Sequence, residues 1–220
     1  MNRDITNDDR SKLLTLENLS CTQGENLLFQ GLDLCLRAGE CLHLRGPNGS
    51  GKTSLLRIVC GLMSSDSGKV LWQGRPATSD TEFATQCFYL AHKDALKSEL
   101  SAIENLRFIQ ALEGNIDEDA LDDALDKMRL LSCADLPVQA LSFGQRRRLA
   151  FAKLLVIERR LWILDEPFTG IDKEGKVLIE QLCIDHLEKL GSILLTHHQK
   201  LDSTPLKAYL QEYDILKASK

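Results

Sequence analysis

Between Gly46 and Thr53 the chain reads Gly46-Pro47-Asn48-Gly49-Ser50-Gly51-Lys52-Thr53, filling the G-x-x-x-x-G-K-[ST] pattern at every fixed position. Glycines so spaced let successive backbone N–H groups turn toward one centre, where a polyphosphate can sit. A lysine after the last glycine can reach β- and γ-phosphates, and the hydroxyl beside it can ligate Mg²⁺. Further on, Leu161-Trp162-Ile163-Leu164 runs without a charge into Asp165-Glu166. An acid pair at a strand end is commonly a solvated turn. With a phosphate loop upstream it has two jobs to fill: Asp165 can hold Mg²⁺ through its water shell, and Glu166 can polarise an attacking water. A third group, Leu141-Ser142-Phe143-Gly144-Gln145, ends 20 residues before Asp165 and continues into Arg146-Arg147-Arg148. Ser142 can cap a helix there, leaving its hydroxyl and the next N–H groups aimed at an anion. These residue types point to a nucleoside triphosphate.

Such groups need elements to hold them. The loop follows a short apolar run, Cys41-Leu42-His43-Leu44, and opens a helix at Thr53-Ser54-Leu55-Leu56. That strand–loop–helix context is the one phosphate binding requires. Leu13-Leu14-Thr15-Leu16 reads as a strand, and Leu32-Asp33-Leu34-Cys35-Leu36 alternates as a half-buried strand should. Val70-Leu71-Trp72, Cys87-Phe88-Tyr89-Leu90-Ala91 and Ser192-Ile193-Leu194-Leu195 give further strands. From about Leu96 to Ala140 the pattern turns helical, with Leu121, Leu125 and Met128 on one face and Asn115 as a cap, Glu118 following it. The opposite face carries Asp119, Asp122, Asp123 and Asp126, and is expected to be solvated. The order predicts an α/β fold: a mostly parallel core sheet, an antiparallel β part and an inserted helical subdomain at about 96–140. Residues 1–12 are expected to fray, and 13–220 to form one domain.

Composition narrows the function from the other side. Of 220 residues 43% are hydrophobic and 27% charged, the balance of a globular protein. A formal charge of −5 argues against sequence-independent nucleic-acid binding and against adsorption to anionic lipid. No apolar run approaches a membrane span, and Met1-Asn2-Arg3-Asp4 does not open a signal peptide, so no direct membrane insertion is expected. The seven cysteines are scattered without a C-x-x-C, which predicts small core residues, not disulfides or a zinc site. His197-His198 is adjacent, not i, i+4, and is poorly spaced for a metal. The triple arginine alone would suggest a nucleic-acid contact, but among Leu149, Phe151, Ala152 and Leu154 it reads as salt bridging and support of the motif.

Taken in order, the phosphate loop, Leu141–Gln145, Leu161–Glu166, Thr169-Gly170-Ile171-Asp172 and Thr196-His197 resemble the motifs of the ATP-binding cassette (ABC) ATPases. The resemblance spans Leu13 to about Leu201. It implies a P-loop fold of the ABC type, ATP and Mg²⁺ as ligands, and a head-to-tail dimer sandwiching two ATP molecules. Ser142, Gly144 and Gln145 would then serve the partner's γ-phosphate in trans. Glu166 would be the general base, His197 the γ-phosphate switch, and Asp172 a link between the two sites. Lys52 and Thr53 keep their loop roles.

Two positions depart from that pattern. Where the family usually has a glutamine contacting Mg²⁺, this chain has His92, whose imidazole can accept from a metal-bound water or bind the metal but titrates near neutrality. No aromatic stands near Thr22-Gln23-Gly24 to stack on adenine, which implies loose base selectivity. His92, with Trp72-Gln73-Gly74 and Leu161–Thr169, makes the chain similar to the ATPase subunits of bacterial haem exporters of cytochrome c maturation. That likeness implies a transmembrane ABC subunit and cytochrome c maturation proteins as partners, a second ATPase subunit as a homodimer, and a peripheral place on the cytoplasmic face of the inner membrane. The alternatives are the ATPase of another small exporter, or a nucleotide-gated module with little turnover.

Overall fold

The computed structural model describes residues 12–77, 81–198 and 205–216. Residues 1–11, expected to fray, lie outside them, and Lys12 opens the first strand. Two sheets carry the fold. The antiparallel one comprises β1 (Lys12–Gln23), β2 (Asn26–Arg37), β4 (Ser67–Trp72) and β5 (Arg75–Pro76) in the order β2-β1-β4-β5. The parallel one comprises β3 (Cys41–Arg45), β6 (Cys87–Leu90), β7 (Leu161–Asp165), β8 (Ser192–Thr196) and β9 (Leu210–Asp214) in the order β6-β7-β8-β3-β9.

The parallel sheet is buried on both faces, which is why its central strands read as unbroken apolar runs. Leu161, Ile163 and Leu194 point to the antiparallel sheet and α1 (Lys52–Val59), beside Leu55, Leu56, Leu16 and Trp72. Trp162, Leu164, Ile193 and Leu195 point the other way, into a core built from the helices. Those helices are α3 (Ala102–Leu112), α4 (Glu118–Lys127), α5 (Phe143–Val156) and α6 (Lys173–Glu188); a short α2 (Thr81–Gln86) precedes β6. Each fully buried leucine adds about 1.5–3 kcal/mol relative to exposure, so the two-sided core fixes the strand register firmly.

That register builds the site. Leu44, at the end of β3, lies opposite Thr196 of β8, and Thr196 lies opposite Asp165 of β7. Leu90 of β6 lies opposite Leu164, so the residues after β6 emerge at the same carboxyl edge as Glu166. The sheet's carboxyl edge is where ligands of open α/β folds bind.

The helical insertion runs as expected between β6 and α5, with one correction. The cap of α4 is Asp117, whose side chain accepts from the Ala120 N–H, and not Asn115. Asp117 is pinned where the helix must begin, because its own N–H donates to Gln110 Oε1 on α3 at 3.0 Å. Leu121, Leu125 and Met128 are buried, and Asp119, Asp122, Asp123 and Asp126 face solvent. All seven cysteines are free, four of them buried. Among the described residues no helix is long and apolar enough to cross a membrane.

Candidate active site

Helices α3, α4, α5 and α6 each begin on a side-chain cap: Ser101, Asp117, Ser142 and Asp172. Helix α1 does not. Its N-cap is Gly51 in the left-handed region at φ 89°, with no side-chain hydrogen bond and no acid in the first turn. A helix start left uncapped presents its N–H groups and dipole to an anion. Gly51 is required there on two counts, since a Cβ would also lie 2.9 Å from that of Leu28. Gly46 is equally constrained, because its Cβ would stand 2.5 Å from Ser50 Oγ.

Within the loop, Lys52 Nζ donates to the carbonyls of Gly46 (2.8 Å) and Pro47 (2.9 Å), and the side chain is buried. An ammonium has three donors, so one remains for a phosphate oxygen. Ser50 Oγ is buried with no hydrogen-bond partner, while Pro47, Asn48 and Gly49 form the exposed lip. An unpaired buried hydroxyl costs about 1–3 kcal/mol, which an anionic ligand accepting from it would recover.

Thr53 Oγ1 donates to Asp165 Oδ2 at 3.0 Å, and Thr196 Oγ1 donates to Asp165 Oδ1 at 2.7 Å. Asp165 is only 4% exposed, and these bonds lock its carboxylate in one orientation. A hydroxyl and a carboxylate side by side at the mouth of the loop are hard oxygen donors. They fit a Mg²⁺ ion, which favours one or two protein oxygens and keeps waters and substrate phosphates as its other ligands.

Glu166 sits one residue on, at φ 53°, a left-handed conformation that costs a non-glycine residue about 1–2 kcal/mol. The strain is held by surrounding bonds. The Glu166 N–H donates to Thr196 Oγ1 at 3.0 Å, and the Thr169 hydroxyl donates to Glu166 Oε2 at 3.2 Å. His197 Nδ1 lies 3.2 Å from Glu166 Oε2, and His198 Nε2 lies 3.2 Å from Oε1. An ionised carboxylate only accepts, so Nδ1 of His197 carries the proton, and its Nε2 can donate onward only when the ring is doubly protonated. Burial pushes the Glu166 carboxyl up, but the bond from His197, the charges of His198 and His197 and the Thr169 hydroxyl outweigh it, and Glu166 titrates below the ordinary glutamate range. The strand histidine His43 is buried and reaches the His197 carbonyl through Nε2 at 3.0 Å, fixing the His197 backbone from behind.

Ser142, Phe143, Gly144 and Gln145, at the start of α5, form a second surface. Ser142 and Gln145 close a capping box: the Gln145 N–H donates to Ser142 Oγ, and the Ser142 N–H donates to Gln145 Oε1 at 2.8 Å. The Ser142 hydroxyl proton and most of the Gln145 amide's donor capacity remain for a ligand. Phe143 is 54% exposed, and its ring packs so closely on Gly170 that a side chain there would collide with it. A Cβ on Gly144 would lie 3.8 Å from Asp172 Oδ2, so the starts of α5 and α6 stand together. Among the described residues no hydrogen bond joins Ser142, Gly144, Gln145 or Asp172 to the phosphate loop or to Asp165. His92 is exposed in the loop after β6, outside the hydrogen-bonded cluster of Thr53, Asp165 and Thr196.

Sequence reasoning missed Thr196 as a partner of Asp165, His198 as a second histidine on Glu166, and the role of Arg147. The arginines divide their work: Arg146 donates to the Leu141 carbonyl, Arg148 to the carbonyls of Met128 and Arg129, and Arg147 turns inward. Arg146 supports the start of the motif, Arg148 ties α5 to the end of α4, and Arg147 makes an ion pair.

An uncapped helix start behind a glycine loop, facing two carboxylates at the end of β7, defines a phosphate-loop nucleotide-binding protein. Comparison with known proteins places it more narrowly. The ABC transporter family model matches residues 29–169, and the chain belongs to that family. The cytochrome c biogenesis ATP-binding export protein CcmA of Aromatoleum aromaticum is 45% identical over 190 residues, 85% of this chain and 89% of the relative. The protein of the same name from Nitrosomonas europaea is 44% identical over 192 residues, 86% and 90% of the two chains. Among solved structures, cbiO1 of Clostridium perfringens, part of the ABC transporter complex cbiONQ, matches at TM-score 0.72 and 27% identity over 86% of this chain and 79% of its own. A putative ABC transporter ATP-binding protein from Pyrococcus furiosus matches at TM-score 0.80 and 22% identity over 96% and 100%, a likeness of fold.

Proposed function

We propose that this chain is the ATP-hydrolysing subunit of a membrane ABC complex in cytochrome c biogenesis, coupling ATP turnover to haem export or to release of a haem-loaded chaperone. The observation that carries the hydrolytic part is Glu166. It is a strained, ionised carboxylate held by Thr169, His197 and His198, beside an oriented Asp165 and next to an anion-ready helix start. The biogenesis role rests on relatives 41–45% identical over 85–89% of this chain.

ATP would bind with its phosphates over the N–H groups of Gly49 to Thr53, and Lys52 would give its third N–H to the terminal phosphates. Thr53 and Asp165 would hold Mg²⁺, which when bound neutralises charge on the β- and γ-phosphates. His92, at the same sheet edge, is the further proposed metal contact. Glu166 takes the proton of the attacking water, and its depressed titration keeps it ready at neutral pH. His197, with Nδ1 anchored on Glu166, directs Nε2 to the γ-phosphate and donates once protonated.

Ser142, Gly144, Gln145 and Asp172 face outward, and in this reading they complete the site of a second copy. ATP then stabilises the closed dimer by mass action, and hydrolysis removes that stabilisation. With this chain peripheral on the cytoplasmic face of the inner membrane, a transmembrane subunit reads the cycle. The test is purification in mild detergent from the native membrane, with partners identified by mass spectrometry. Recovery of a membrane-spanning subunit with haem-handling proteins is expected. A different permease would overturn the biogenesis assignment and leave the ATPase reading.

A further inference from the structure

Arg147 is the middle of three consecutive arginines, yet its side chain is only 3% exposed. Its guanidinium donates to the Glu166 carbonyl at 2.9 Å, with longer contacts to the carbonyls of Pro167 (3.4 Å) and Asp165 (3.5 Å). The same group reaches across to the loop after β6. It pairs with Asp94 Oδ1 at 2.6 Å and contacts the Ala91 carbonyl at 3.4 Å. One turn and a half further along α5, the buried Lys153 donates to the carbonyls of Asp94 and Ala95 at 3.2 Å each. Ala95 stands at φ 48°, so this loop, like Glu166, carries a left-handed non-glycine residue fixed from α5.

We propose that Arg147 is a positioning residue for the general base: its guanidinium holds the Glu166 peptide in its left-handed conformation and ties it to Asp94 in the loop that bears His92. The inference rests on the reading of Glu166 as base. Its physical reason is geometric. Five donors in a planar fork can serve two segments at once, and here they serve the end of β7 and the end of β6. A lysine keeps the charge but offers a single point of attachment, so it cannot span both. With the peptide free to relax, the carboxylate leaves the line of attack, and misplacement on the ångström scale is costly in rate. Among the described residues Arg147 bonds to carbonyls and Asp94, with its face over the Phe151 ring, so it acts through Glu166 and not on substrate.

The test is steady-state ATP hydrolysis by the full chain carrying Arg147→Lys, alone and combined with Glu166→Gln, with nucleotide affinity measured on each. Arg147→Lys is expected to lower kcat by roughly 10- to 100-fold with KM for ATP little changed. In the Glu166→Gln background the same substitution is expected to lower the residual rate no further, because the group it positions is already gone. An equal fold-loss in both backgrounds would show a general structural role and overturn the inference. So would a normal kcat for Arg147→Lys. Asp94→Asn, which keeps an acceptor for the guanidinium, guards against misfolding: a kcat between those of wild type and Arg147→Lys supports the tie, and an unchanged kcat overturns it. A wild-type chain with turnover indifferent to Glu166→Gln would instead sink the general-base reading beneath it.

Discussion

The phosphate loop with the end of β7 and the start of α5 with that of α6 are both anion-facing regions, built in opposite ways. In the first, the charged side chains are buried and restrained: Lys52 by loop carbonyls, Asp165 by two hydroxyls, Glu166 by Thr169 and two histidines. In the second, Ser142 and Asp172 are exposed, bonded only within their own caps, beside a half-exposed Phe143. The first is preorganised within one chain. The second offers donors, and its carboxylate, Asp172, is engaged in capping α6 through Oδ1. The contrast teaches that side chains fixed by buried bonds are preorganised within one chain, whereas exposed caps with spare donors are open to another molecule.

The sharpest way to break the contrast is at Glu166. Glu166→Gln keeps the size and the hydrogen bonds to Thr169, removes the base, and is expected to slow hydrolysis by roughly 10²–10⁴ with ATP binding retained. Single-turnover kinetics alongside equilibrium nucleotide binding would separate the two. Normal turnover would deny the buried region its chemistry.

A smaller effect is expected from the acid side of the pH profile. Glu166 has a lowered folded pKa, so its ionised form contributes stability and activity that are present above the ordinary carboxylate range and lost only as pH falls through the depressed value. His197→Ala removes the leading bond that lowers it and leaves burial in place. The acid limb of kcat is therefore expected to move up in pH, and an unmoved limb would mean that His197 does not set the base.

The least effect is expected at His92. It is exposed and makes no bond to the Asp165 cluster, so His92→Gln is expected to change the hydrolysis rate by no more than about twofold. A collapse in rate would move this residue from the rim into the buried region.

Much of the buried region was legible in the sequence because its constraints are local. Glycines are needed at Gly46 and Gly51 whatever lies elsewhere, and a strand covered on both faces must be apolar throughout, as Leu161 to Leu164 is. What escaped depends on pairing across the chain. Strand β9, Leu-Gln-Glu-Tyr-Asp, lies at a sheet edge, half in solvent, and owes its strand form to β3 and not to any alternation of its own. The two-residue β5 ends in Pro76, tolerable because it is an edge. Arg147 has Ala150, Phe151 and Leu154 at i+3, i+4 and i+7, but Arg148 has Phe151, Ala152 and Leu155 there, and almost all of α5 beyond them is buried, so periodicity could not say which arginine goes inside. That Arg147 would grip the Glu166 carbonyl could come only from the fold. His198 was weighed as a metal ligand by spacing to its neighbour, while its partner lay 32 residues back at Glu166.

The central claim is that the outward surface of one copy completes the buried site of another, and mixing two crippled chains tests it most directly. Lys52→Ala disables the buried half. Gly144→Asp disables the outward half by setting a carboxylate against phosphate, with room for the side chain and a favourable place in the first turn of α5. Each variant alone is expected to be nearly inactive. A mixed dimer regains one intact site, from the loop of the Gly144→Asp chain and the Ser142 surface of the Lys52→Ala chain, so mixing is expected to restore hydrolysis. Activity of the mixture no higher than the average of the two variants would contradict the account.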